Sequence, residues 1–139
     1  ISRREVDSWE DGGILEYLGE TEDVRPYIQG AGCVVLPSYR EGLPKTLLEA
    51  ASMARPIIAT DVTGCREIVQ DGKNGLLCKA KDAVSLAESM KTFLHLPFEE
   101  KENMGLQGRV LVKEKFDERQ IVAAILEEIE KLFPSESGV

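Results

Sequence analysis

The feature that most constrains the fold is a repeated alternation. A short apolar run of strand-forming residues, bounded by Gly or Pro, is followed by a stretch with helical periodicity. Cys33-Val34-Val35-Leu36-Pro37, Pro56-Ile57-Ile58-Ala59-Thr60 and Gly75-Leu76-Leu77-Cys78 are runs of this kind, and Gly13-Ile14-Leu15-Glu16-Tyr17-Leu18-Gly19 reads as another. Strands apolar on both sides need cover on both sides, which implies a parallel sheet between helix layers. The first expected helix covers 21–30, with Thr21 as N-cap and the acidic Glu22 and Asp23 in its first turn. The second covers 44–54, with Pro44 at its first position, Leu47, Leu48, Ala50, Ala51 and Ala54 at helical spacing, and Pro56 enforcing its end. One or two turns follow over 65–70, stopped by Asp71-Gly72-Lys73-Asn74-Gly75. Asp82 caps a helix to about 94 with Ala83, Leu86, Ala87 and Met90 inward, and helices over 99–115 and 118–133 complete the chain before a frayed 135–139. The fold class is therefore α/β: a Rossmann-like parallel sheet with flanking helices and right-handed crossovers.

The 139 residues are enough for one compact domain, and no repeat or linker divides them. A formal net charge of -8 repels nucleic acid and anionic lipid, which argues against a nucleic-acid partner. It leaves room for a local phosphate site built from backbone amides. No apolar run approaches the roughly 20 residues that span a bilayer. Ile1-Ser2-Arg3-Arg4 has no apolar stretch behind it, as a signal peptide would, and the missing initiator Met suggests a start inside a larger protein. Cys33, Cys65 and Cys78 show no metal-ligand spacing and read as reduced, mostly buried thiols.

In open α/β sheets, ligands bind beyond the carboxyl ends of the strands. Beyond Leu36 the chain reads Pro37-Ser38-Tyr39-Arg40-Glu41-Gly42-Leu43-Pro44-Lys45-Thr46-Leu47-Leu48-Glu49. Gly42 allows close approach of backbone to ligand, and residues 43–46 offer free amides at a helix N-terminus, a ready anion site. Glu41 lies ahead of those amides. Glu49 lies one turn beyond Lys45, about 6 Å along the axis at roughly 1.5 Å per residue. A carboxylate repels phosphate but accepts hydrogen bonds from sugar hydroxyls on either side of one. The pattern thus fits a ligand built as sugar–diphosphate–ribose. The plainer alternative is a turn at Gly42-Leu43-Pro44, a solvated Glu41 and a Lys45–Glu49 pair at i,i+4.

At these residues the sequence resembles the retaining GT-B glycosyltransferases of family 4. Glu41 and Glu49 match its E-x7-E pattern. Ala31-Gly32-Cys33-Val34-Val35-Leu36-Pro37-Ser38 resembles its strand motif, Glu41-Gly42-Leu43-Pro44 with Leu48-Glu49-Ala50 its site motif, and Pro56-Ile57-Ile58-Ala59-Thr60-Asp61 its next strand. Gly64, Glu67-Ile68-Val69, Asp71-Gly72 and Asn74-Gly75-Leu76-Leu77 follow in order. The wording from Tyr39 to Pro44 most resembles bacterial capsule, O-antigen and other surface-polysaccharide enzymes.

The resemblance implies that 1–139 is part of the C-terminal, nucleotide-sugar-binding domain, without the acceptor domain or the domain's first strands, and is inactive alone. It implies hexosyl transfer with retention from a UDP-sugar or other nucleotide-sugar to an acceptor hydroxyl, with no metal and no further cofactor. Glu41 would act catalytically at the donor sugar. Gly42, Leu43, Lys45 and Thr46 would hold sugar and diphosphate, Glu49 the ribose, and Gly19 and Glu20 the base. The acceptor would be a lipid-linked or oligosaccharide chain held by the missing domain. The whole enzyme would be cytoplasmic, peripheral at the inner membrane face. The two missing strands carry an Arg and a Lys for the diphosphate, and would lie between the 14–18 and 33–36 strands. Those two strands are thus expected to pair directly, or to leave an edge for another molecule, including a second copy.

Arg55 replaces a Gly found in many members and reads as a cap of the 44–54 helix. His95 reads as a surface or capping residue, Arg40 as a phosphate, acceptor or ion-pair partner, and Glu67 as a helix-start residue. Asp61 through Gly64 would line the cleft opposite Glu41. The terminal helix presents an acidic face (Glu127, Glu128, Glu130) and an apolar stripe (Ile121, Ile125, Ile129). Two other functional classes fit the same residues: a nucleotide-sugar 2-epimerase of GT-B architecture, and a non-enzymatic α/β interaction module.

Overall fold

The computed structural model describes residues 1–119, 122–123 and 125–127. The frayed tail, the end of the 118–133 helix, Glu128, Glu130, Ile121 and Ile129 lie outside the described residues. Three parallel strands, β1 (Val34–Leu36), β2 (Ile57–Thr60) and β3 (Gly75–Cys78), form one sheet in the order β1-β2-β3. Val35 pairs with Ile58, and Ile58 with Leu76. All four residues of central β2 are buried, as its unbroken apolar run requires.

Alternation along β2 divides the core. Ile57 and Ala59 join Leu47, Ala50, Ala51, Ile68, Val69 and Val112 in one cluster, while Ile58 meets Phe93 and Met104 in the other. The first cluster draws on α3 (Lys45–Ser52) and α6 (Phe98–Lys115), the second on α5 (Ala83–His95) and α6. A short α4 (Thr63–Arg66) follows β2. A Cβ on Gly105 of α6 would overlap the carbonyl oxygen of Ala54, so only glycine lets α6 approach the end of α3 this closely. Asn74, 1% exposed, ties the turn before β3. Its side-chain oxygen accepts from the Gln70 amide at 2.6 Å and its amide donates to the Ile68 carbonyl at 2.8 Å.

Five expectations need correction. The 13–19 run forms no strand and does not pair with β1. It leaves a helix, α1 (Arg3–Asp11), through the Ile14 amide on the Trp9 carbonyl at 2.9 Å, and the Tyr17 amide donates to the Glu10 carboxylate at 2.9 Å. Ile14 is 73% and Leu18 54% exposed. Without neighbouring strands to complete a ladder, an isolated extended run gains too little to order as sheet. The α1 helix itself was signalled by Ser2-Arg3-Arg4-Glu5, which closes a capping box.

The 21–30 helix starts later, as α2 (Arg25–Gly30). Thr21 does not cap it. Its hydroxyl accepts from the Asp23 amide at 3.1 Å and donates to the Asp23 carbonyl at 3.0 Å, closing a local turn that competes with helix. Pro44 is the N-cap of α3 with extended dihedrals, one position earlier than expected. Arg55 caps α2 instead of α3, donating from Nη2 to the Gln29 carbonyl at 2.6 Å. The α3 C-terminus closes on its own backbone: Ala54, at φ 54°, donates to the Ala51 carbonyl and Arg55 to that of Ala50, both at 2.9 Å. On α5, Ala83, Ala87 and Met90 are exposed, and the inward face is Leu86, Ser89 and Phe93. Phe93, the largest apolar group of that helix, sets the face by its contact with Ile58 and Met104.

Candidate functional site

The loop from Pro37 to Pro44 carries the chain from the carboxyl end of β1 to the start of α3. Buried Thr60, the last residue of β2, donates its hydroxyl to the Ser38 carbonyl and so pins the beginning of the loop to the sheet. Ser38 in turn donates its hydroxyl to the Glu41 carboxylate at 2.6 Å. A charge-assisted bond of this length fixes the half-buried Glu41 side chain against rotation. Farther along, Gly64 of α4 lies on the Glu41–Gly42 peptide so closely that a Cβ there would overlap the Gly42 carbonyl. The loop is thus held from below by β2 and from the side by α4.

Beyond Gly42 the backbone turns into α3. Among the described residues, the amides of Gly42, Leu43, Lys45 and Thr46 meet no protein acceptor, and these four residues are exposed. Unsatisfied first-turn amides at the positive end of a helix dipole attract an anion. Pro44 between them is buried and packs the turn down. Lys45 stands over the helix start, with Nζ 3.7 Å from Glu49 Oε1; the Lys45 side chain is 87% exposed and that of Glu49 25%. At 3.7 Å the contact is an exposed i,i+4 pair that leaves Glu49 able to accept other hydrogen bonds.

A second ion pair, for which no motif speaks, lies beside this one. Arg25 bonds Asp23 through Nε at 2.8 Å and Nη2 at 2.9 Å, a fork that holds the Asp23 carboxyl down at about 2 with a smaller contribution from Lys45. Asp23 raises Arg25, and Glu49 adds to that. The start of α2 therefore faces the Lys45–Glu49 turn of α3. Gly19, at φ 77°, and Glu20 lie in the exposed segment before it, and among the described residues no hydrogen bond or ion pair joins them to 41–49. Asp61 pairs with Arg66 at 2.8 Å. His95 donates from Nδ1 to the Lys91 carbonyl, 2.7 Å away, as a capping residue. Glu67 is not a helix-start residue: it is the C-cap of α4, and its carboxylate is held there by Lys115 Nζ at 2.6 Å, joining α4 to the end of α6.

Cys33, Cys65 and Cys78 are free thiols. Among the described residues, no three His, Cys, Asp or Glu side chains are grouped to hold a metal ion, and no helix is long and apolar enough to cross a membrane.

The family model described as "Glycosyl transferases group 1" matches residues 2–95, more than half of the chain. The chain belongs to the group 1 glycosyl transferases. Among its relatives is an N,N'-diacetylbacillosaminyl-diphospho-undecaprenol alpha-1,3-N-acetylgalactosaminyltransferase of Campylobacter jejuni, 36% identical over 84 residues, 60% of this chain and 22% of the relative. The fold matches that of a sucrose-phosphate synthase from Thermosynechococcus elongatus with a TM-score of 0.81 and 26% identity, over 94% of this chain and 34% of that one. It also matches Anabaena Alr3699/HepE, solved in complex with UDP, with a TM-score of 0.82 and 20% identity over 93% of this chain and 36% of that one. The chain spans about a quarter of the length of the curated relatives it matches.

Proposed function

We propose that this chain is the donor-binding part of a retaining family 4 transferase that moves a hexosyl group from a nucleoside-diphosphate sugar to an acceptor hydroxyl in surface-polysaccharide assembly. The observation that carries the proposal is the order carboxylate, free amides, carboxylate along 41–49. The diphosphate lies over the open amides of Gly42, Leu43, Lys45 and Thr46. Lys45 adds a mobile positive charge. Glu41 reaches the sugar hydroxyls and Glu49 the ribose. As the anomeric bond breaks, charge develops on the departing diphosphate, and amides already aimed at it stabilise that charge without reorganisation. Glu41, held by Ser38, fixes the sugar relative to the leaving group. The positive potential comes from backbone and Lys45, so this arrangement calls for no metal.

The UDP in the Anabaena structure supports a uridine diphosphate donor, and the diphospho-undecaprenol in the Campylobacter relative's name supports a lipid-linked acceptor. On this reading the whole enzyme is cytoplasmic and meets its acceptor at the membrane face through a separate domain, and the present chain binds donor without completing the reaction.

Calorimetric titration of UDP-glucose into the chain and its E41Q and E49Q variants tests the assignment. Each carboxylate is expected to contribute a charge-assisted hydrogen bond worth about 1.5 kcal/mol or more, or roughly tenfold in affinity. Parent-like affinity in both variants would sink the assignment.

A further inference from the structure

A cleft of about 760 Å³ opens at the carboxyl ends of the same three strands, beside the 41–49 turn. Ser38, Tyr39 and Arg40 line one wall and Cys78, Lys79, Lys81, Asp82, Ala83 and Leu86 the other, with Thr60 and Ile1 also bordering the space. Neither Glu41 nor Glu49 lines it. The walls are ordered by hydrogen bonds: the Asp61 amide donates to the Cys78 carbonyl at 2.7 Å, and the Lys79 amide to the Ser85 hydroxyl at 3.0 Å.

The charge of this cleft runs against that of the chain. The chain has 25 acidic and 17 basic residues, yet the cleft is lined by Arg40, Lys79 and Lys81 with a single carboxylate, Asp82. That carboxylate is occupied, accepting from the Ser85 amide at 2.9 Å as the N-cap of α5. Elsewhere Arg3, Arg25, Lys45, Arg66, Lys115 and Arg119 each sit within reach of an acid. Among the described residues, Arg40, Lys79 and Lys81 have no such partner, a state they share with other cations such as Lys73 and Arg109; what sets them apart is that they line one cleft.

Lys81 adds a second, geometric observation. Its backbone is left-handed, φ 60°, a conformation that ordinary side chains avoid. Its ammonium stands 5.6 Å from the centre of the Tyr39 ring on the opposite wall. The side chain therefore bridges the two walls of the cleft.

We propose that this cleft binds a phosphate-bearing ligand, specifically a diphosphate ester, with Arg40, Lys79 and Lys81 as its cationic contacts. An Arg fork meets phosphate oxygens two at a time and Lys supplies point charges, so the set suits phosphate oxygens. Pro37, Ala83 and Leu86 leave an apolar stretch beside them for the group that carries the diphosphate. Ser38 joins the two sites: it lines the cleft and its hydroxyl holds Glu41. The assignment of this ligand to the acceptor, as opposed to the donor, rests on the reading above.

The test is an amide-resolved NMR titration of the 139-residue chain with inorganic pyrophosphate in 100 mM salt, repeated on R40Q and on K79Q/K81N, where Asn tolerates the left-handed backbone at 81. Saturable shifts at 38–40 and 78–83, weakened at least tenfold in K79Q/K81N with undisturbed dispersion elsewhere, are expected. Shifts confined to 42–46, equal affinity in the variants, or no saturation by 10 mM would overturn the proposal. UDP in a parallel titration reports on 42–49 separately, so a failed donor reading is seen as such. Phosphatidylglycerol vesicles form the last arm. Vesicle binding that pyrophosphate displaces would overturn the diphosphate assignment in favour of a phosphodiester headgroup, and pyrophosphate shifts without vesicle binding support it.

Discussion

The backbone of Gly64 rests on the Gly42 carbonyl with no room for a side chain: a Cβ at Gly64 would overlap that oxygen and come within 2.6 Å of the Glu41 carbonyl. The amide-bearing turn of the proposed donor site is therefore shaped by a residue some twenty positions downstream. Gly64→Ala must displace either α4 or the 41–42 peptide. We expect it to cost about 3 kcal/mol by urea denaturation, at the upper end for overpacking. UDP binding should be lost at temperatures where the variant is still folded. A G64A protein with parent stability and parent affinity would contradict this packing.

Ser38→Ala removes the 2.6 Å bond to Glu41 while leaving the Ser38 carbonyl for Thr60. The exposed side of Glu41 remains hydrated, so the stability loss should be about 1 kcal/mol. Ligand binding discriminates further. Because Glu41 is assigned to the sugar, S38A should weaken UDP-glucose several-fold more than it weakens UDP. Equal weakening of the two would place the role of Ser38 elsewhere.

Ala54 occupies the left-handed position after α3, at φ 54°, where a Cβ is disfavoured. Ala54→Gly should raise stability by about 0.5–1 kcal/mol in urea, the relief at the cap exceeding the added entropy of the unfolded chain. A lower midpoint in A54G would show that the Ala54 methyl contributes packing that outweighs its strain.

Burial pushes the Cys33 thiol up from 9.0 to about 11. The raised value means that the folded state holds the proton more tightly than the unfolded one. Stability from this group is thus present below about pH 9 and is lost as pH rises toward 11. At pH 8 the site should carry roughly 100-fold less thiolate than an unperturbed cysteine, so alkylation by iodoacetamide should be correspondingly slow. Rapid modification of Cys33 in the folded chain would contradict the desolvation of this half-buried thiol.

The three central strands and the helices after them were legible because each strand is an unbroken apolar run and each helix has its own stop, as at Pro56 or Pro97. The loop 37–49 was legible for the same reason: a glycine, a proline and two acids at the end of a strand restrict what the backbone can do. What escaped was decided by absent or distant partners. The 14–18 run has strand composition, but strands form only with neighbours. Thr21 looked like an N-cap until its hydroxyl closed on Asp23. Arg55 stands at the end of α3 in sequence, yet its length carries it to Gln29, 26 residues away. Ser38 stood inside a recognised motif without a role, because only the folded loop brings its hydroxyl to Glu41.

The most direct test of the donor-site account is an NMR titration of the labelled chain with UDP, GDP and ADP in turn. Saturable shifts at 42–49, with the Gly64 amide following and one base preferred, are predicted. Shifts elsewhere only, or none at several millimolar in a chain whose spectrum is that of a folded protein, would contradict the placement of the diphosphate on the α3 amides.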